Sequence, residues 1–257
     1  MAKWTAFPHL GEFQYDAASL RRHWSRLHAG DAEPLPADPA ALEAWVHFHN
    51  GEFFQAMEAG LKAGPSGITA ANKAACIYAN YLEKKEKARL ELFLESAGRA
   101  EAHAAADPSN PNAWYWQAYA LGRYSQGISV AKALAQGLGS KVKDALERAI
   151  ALQPRHADAH IALGAFHAEV IDKVGSLIGG MTYGAKKETG LKMFQQALAL
   201  HPGSPIALIE YANGLVMLEG DKRMKEATRL YEQAAGLAPA DAMERLDVEL
   251  ARSELAE

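Results

Sequence analysis

Three prolines in the second half of the chain share their surroundings. Pro154, Pro202 and Pro239 each have an alanine five residues before them (Ala149, Ala197, Ala234) and a large apolar residue eight before (Leu146, Phe194, Tyr231). Residues three apart lie on one face of a helix, so each proline follows a helix that turns a small and a large residue toward the same neighbour. After Pro108, Pro154 and Pro202 a second pattern starts: Trp114, Gln117-Ala118, Leu121; His160, Leu163-Gly164, His167; and Leu208, Tyr211-Ala212, Leu215. Large and small residues at spacings of three and four mark a helix buried along one stripe. A chain that repeats such a pair of helices buries its stripes by stacking neighbours. The expected fold is therefore all-α, a solenoid of helical hairpins.

Composition agrees. Alanine occurs 52 times in 257 residues, and Ala, Leu, Glu, Lys and Arg are the residues that lower the cost of helix. Asp38-Pro39 reads as an N-cap followed by a proline at the first helical position, and Gly30, Gly51, Gly64 and Gly220 fall where helices should stop or turn. Residues 1–37 read as a capping helix, with Leu20, Trp24 and Leu27 on one face, and a proline-bearing linker. Residues 38–106 read as degenerate hairpins (40–63 and 69–106), and 107–257 as fuller repeats ending in a C-terminal capping helix.

The successive prolines from Pro108 stand 46, 48 and 37 residues apart. The excess in the first two intervals falls in residues 127–139 and 170–184. Both stretches are apolar at helical spacing (Ile128, Ala131, Leu134, Leu138; Val170, Val174, Leu177, Ile178), which predicts two elongated repeats with lengthened hairpin arms. Gly179-Gly180 and Gly184 read as a turn at an arm's tip. Apolar arms need a partner, so homo-oligomerisation through 128–138 and 170–184 is expected.

The motifs Leu163-Gly164, Ala149-Pro154, Phe194-Ala197-Pro202 and Tyr231-Ala234-Pro239 resemble the tetratricopeptide repeat (TPR), whose period is about 34 residues. That resemblance covers roughly residues 107–240 and implies a right-handed α-solenoid. Small residues at Ala118, Gly164 and Ala212 would let the two helices of a hairpin approach, as would Ala149, Ala197 and Ala234 on the second helix. The irregular, elongated repeats, with the long arm before Leu191–Pro202, are similar to those of the regulator of microtubule dynamics family and of the helical T component of some TRAP transporters. That similarity implies an apolar ligand cavity or a trimer built through the arms.

Charge and chemistry narrow the function. The formal charge is −4, so no global basic field exists to hold nucleic acid, and no nucleic-acid partner is expected. No stretch of 18 apolar residues and no apolar segment at the N-terminus is present, so neither a membrane span nor a secretory signal is expected, and a cytoplasmic location fits. The single cysteine, Cys76, lies in the apolar run 74–78 and forbids an internal disulfide or a multi-cysteine zinc site. Phosphate-binding loops, the Gly-x-Ser-x-Gly elbow, His-Glu-x2-His and Cys-x2-Cys are absent from the sequence. No enzyme activity, cofactor or metal is therefore expected. The one group weighed for chemistry is His156, His160 and His167; the last two occupy large-residue positions of a repeat, which fits packing between helices better than ligation. His47 and His49, two apart on a helix, point to different faces.

In TPR proteins the concave groove comes from the second, fifth, sixth and ninth positions of each first helix. Counted from the matched prolines, the resemblance implies Asn112, Tyr115, Trp116 and Tyr119; Asp158, Ile161, Ala162 and Ala165; and Ile206, Ile209, Glu210 and Asn213. These do not make the Lys, Asn and Arg set of a clamp for C-terminal carboxylates, so a chaperone-tail receptor is disfavoured. The aromatic and aliphatic character of the positions suits a peptide or an apolar helix. The function expected is a non-enzymatic scaffold that binds a protein segment in its groove. The alternative is a carrier for an apolar small molecule or lipid held between groove and arms.

Overall fold

Side-chain caps start several of the helices, at Asp38 as the sequence places it. Asp16 accepts from the Ser19 amide in a reciprocal capping box, Asp38 caps a helix whose first residue is Pro39, and Asn110 and Ser204 do the same ahead of Pro111 and Pro205. The computed structural model describes residues 4–256, and among them all regular structure is helical. In chain order the helices are α1 (Ala17–Leu27), α2 (Pro39–His49), α3 (Phe53–Lys62), α4 (Ile68–Tyr81), α5 (Glu86–Ala106), α6 (Pro111–Gln126), α7 (Val130–Ala135), α8 (Leu138–Leu152), α9 (Ala157–Val174), α10 (Ser176–Tyr183), α11 (Lys187–Leu200), α12 (Pro205–Glu219), α13 (Met224–Ala235) and α14 (Ala242–Glu254). The chain is thus the all-α hairpin solenoid that the repeats predict.

Two compact units are present. The first comprises the residues through His28, Glu33–Leu152 and Asp241–Met243. In it α2 pairs with α3, α4 with α5 and α6 with α8, and each hairpin packs on the next. Helix α1 buries Leu20, Trp24 and Leu27, the face read from the sequence. The second unit comprises Ala29–Ala32, Gln153–Ala240 and the residues from Glu244 on. There α9 pairs with α11 and α12 with α13, and α12 also packs on α9 and α11.

The small-and-large code of the repeats is realised in the core. Ala118, Ala149, Ala197, Ala212 and Ala234 are all buried. Phe194 of α11 lies against Gly164 of α9 and Gly214 of α12. A methyl group at either glycine would stand 2.9 Å and 2.3 Å from the Phe194 ring, so the close approach requires glycine. Phe194 also stacks on Tyr211, ring centroids 5.5 Å apart.

The two insertions are helical, but each is a separate short helix rather than a continuous extension of an arm. Helix α7 stands between Gly127 and Gly137, and α10 between Gly175 and Gly184. Gly179 and Gly180 therefore sit inside α10 and not in a turn; the turn comes at Gly184, which is left-handed. Both helices leave apolar side chains in solvent: Val130 and Leu134 on α7, and Leu177, Ile178 and Met181 on α10, where Met181 is 82% exposed.

Candidate protein-interaction surface

The positions assigned to the groove divide by burial. Asn112, Tyr115, Trp116, Ile161 and Ile209 are buried, whereas Tyr119, Asp158, Ala162, Ala165, Ile206, Glu210 and Asn213 are partly exposed. What covers the buried ones comes from outside the matched repeats in two cases. Residues of α14 join Ile209 in one apolar cluster, through Leu250 and Ala251. At Asn112 the cover is the loop after α1, because its side-chain amide donates to the Glu33 carboxylate at 2.6 Å. Ile161 instead packs within the second unit's core with Phe194, Tyr211 and Leu215.

Helix α6 concentrates the aromatic residues. Tyr115, Trp116 and Tyr119 form a cluster with ring centroids 5.0, 5.1 and 6.1 Å apart, and the Arg123 guanidinium lies 5.4 Å from the Tyr119 ring. Trp114, on another side of the helix, donates its indole N–H to the Pro108 carbonyl at 3.1 Å. The Trp116 indole nitrogen is buried and has no hydrogen-bond partner among the described residues.

In the second unit the Asp158 backbone N–H donates to the Gly30 carbonyl at 3.0 Å, and Gly30 lies so close that a methyl group there would stand 2.4 Å from the Asp158 carboxylate. Asn213 accepts from the Tyr231 hydroxyl at 2.6 Å. Burial, with Glu254 and Glu210 adding to it, pushes the Tyr231 phenol up to about 12, so it stays a donor at neutral pH.

The histidines weighed for chemistry serve the backbone. His156 caps α9 by accepting from the Ala159 amide, His160 bonds the Pro154 carbonyl at 3.0 Å through Nε2, and His167 accepts from the Lys186 amide at 3.2 Å. The three imidazoles thus have three different partners. Burial pushes the Cys76 thiol up to about 12, against the smaller opposing effects of Ser96 and Arg99, which disqualifies it as a nucleophile at neutral pH. His47 and His49 do face apart: His47 pairs with Glu52 near the surface, and His49 is fully buried.

His49 belongs to a polar cluster that sequence reasoning missed. Its Nδ1 is 2.6 Å from the Asp241 carboxylate and its Nε2 is 3.2 Å from His28 Nε2. Because a carboxylate only accepts, Nδ1–H is the donor; in the neutral imidazole Nε2 then accepts from His28. Trp24 stacks on His28 and Trp45 on His49, closing the cluster with apolar rings. No local pattern connects residues 28, 49 and 241.

No described helix is long and apolar enough to cross a membrane. Two solved structures show what the chain is similar to. A thermophilic TPR protein of Thermus thermophilus aligns with a TM-score of 0.59 at 16% identity, covering 83% of this chain and 97% of that one. YrrB, a TPR protein described as having an unusual peptide-binding site, aligns with a TM-score of 0.42 at 14% identity over 92% of this chain and 100% of its own. No curated protein matches the chain. The family model described as regulator of microtubule dynamics protein 1-3 matches residues 42–253, from the second helix into the last. That span covers most of the chain and places it in the regulator of microtubule dynamics protein 1-3 family.

Proposed function

We propose that the protein is a non-enzymatic interaction scaffold that binds a segment of another protein on the groove face of its repeat helices. The observation that carries this reading is the groove face of α6. There an aromatic cluster, Tyr115, Trp116 and Tyr119, adjoins an amide, Asn112, that already holds the carboxylate of a loop without regular secondary structure. Aromatic anchors beside a few fixed polar groups are what peptide-binding surfaces use. The backbone roles of His156, His160 and His167 and the buried thiol of Cys76 support a binding role over catalysis. The family's name, regulator of microtubule dynamics, also fits a protein that acts by contact.

The test uses residues exposed enough to change without unfolding the chain. Tyr119→Ala and Glu210→Ala, each made singly in tagged protein, are expected to reduce the recovery of specific co-purifying proteins about tenfold. Circular dichroism and Tm should stay at their wild-type values. The same proteins recovered in the same yield from both folded variants would overturn the reading.

A further inference from the structure

We infer that the groove face of α6 is a receptor for an acidic, extended peptide segment, and that the chain's own loop occupies it through Glu33 as an internal ligand. This deepens the interaction reading above and rests on it. Residues 32–36 have no regular secondary structure and contain Pro34 and Pro36, which hold the chain extended and remove two amide donors. Glu33 is gripped twice. Its carbonyl accepts from the Trp24 indole at 2.8 Å, and its carboxylate accepts from Asn112 Nδ2 at 2.6 Å. The helix terminus itself is not what holds it, because Asn110 already caps the Asn112 and Ala113 amides.

A second donor on the same face lacks its acceptor. Trp116 stands one turn after Asn112, is 2% exposed, and leaves its indole N–H without a partner. A desolvated N–H without an acceptor is costly, and a carbonyl or carboxylate from a bound segment would relieve it. The spacing also fits. Residues four apart on a helix are separated by about 6 Å along the axis, and residues two apart on an extended chain by about 6.6 Å on one side. The surface is therefore matched to a segment whose carboxylate is followed or preceded, two residues away, by a second acceptor. A neutral amide as the reader of the charge suits a single carboxylate better than a doubly charged phosphate. A partner segment would have to displace Glu33 to bind α6.

The probe is a fluorescein-labelled synthetic peptide with the sequence of residues 29–38, titrated by anisotropy into the full chain. Glu33→Ala should bind it about tenfold more tightly than the wild type, whose site is filled by a tethered competitor. In the Glu33→Ala background, Asn112→Ala should weaken binding about five- to tenfold, the scale of one hydrogen bond, whereas Trp116→Phe should leave it unchanged, because a segment of this sequence leaves the indole N–H without a partner. A probe with Gln in place of its Glu should weaken binding as Asn112→Ala does. If Glu33→Ala does not fold, Glu33→Gln takes its place, with a smaller gain expected. Absence of probe binding to the folded variant, or binding unchanged by Asn112→Ala, overturns the inference. Probe binding as described, with co-purifying proteins unaffected by Tyr119→Ala and Glu210→Ala, would keep Glu33 as an internal ligand of α6 and overturn the scaffold reading, and with it the partner segment.

Discussion

Phe194→Ala is expected to lower the free energy of unfolding by about 3–5 kcal/mol, the range for removing a buried aromatic ring. Phe194 is 1% exposed and belongs to the cluster of Ile161, Ala207, Tyr211 and Leu215. The size of the effect follows from its socket. On two sides the ring meets Gly164 and Gly214, which have no side chain to swing into the space it leaves, so the cavity closes poorly. Urea unfolding followed by circular dichroism, with the slope compared between wild type and variant, checks it. The converse change, Gly214→Ala, should cost about 1–3 kcal/mol by overpacking. A loss below about 1 kcal/mol for Phe194→Ala would mean that the ring is not the keystone of this unit.

Asp241→Ala should cost about 3 kcal/mol for a different reason. It takes the acceptor from His49, which is completely buried, and the imidazole N–H is left unpaired inside the first unit. Asp241→Asn, which keeps an oxygen facing His49, should recover about half of that. A double-mutant cycle with His49→Ala is expected to show coupling of at least about 1 kcal/mol. Additive effects would show that the two side chains are merely neighbours. The pair matters to the architecture because it ties residue 241 to residue 49, 192 positions apart, within one unit.

These two sites also show what the sequence discloses. Phe194 was legible. The alanine, the large residue and the proline recur at fixed offsets because every hairpin solves the same packing problem, so the pattern names the small and large partners directly. The helix faces of α1 and the existence of both inserted helices were legible by the same periodicity. Gly127, Gly137, Gly175 and Gly184 flank those helices, and apolar spacing, which tells which face is buried, does not tell where a helix stops.

His28, His49 and Asp241 were not legible, because a helical period tells which face is buried and not which distant residue meets it. The groove positions lie between these cases. Counting from the prolines selects Asn112, Trp116, Ile161 and Ile209 by their place in a repeat. What lies over Asn112 and Ile209, a loop before the repeats and a helix after them, follows no repeat. The burial of Tyr115 and Trp116 is why their replacement would report on folding, and why Tyr119 is the better probe of binding.

Partners are expected to meet the groove face of the repeat helices. A photo-crosslinking amino acid placed in cells at Tyr119, partly exposed on that face of α6, and separately at Arg148, exposed on α8, tests this most directly. A discrete protein adduct is expected at position 119 and none at position 148. An adduct at 148 alone, or equal adducts at both positions, would contradict it.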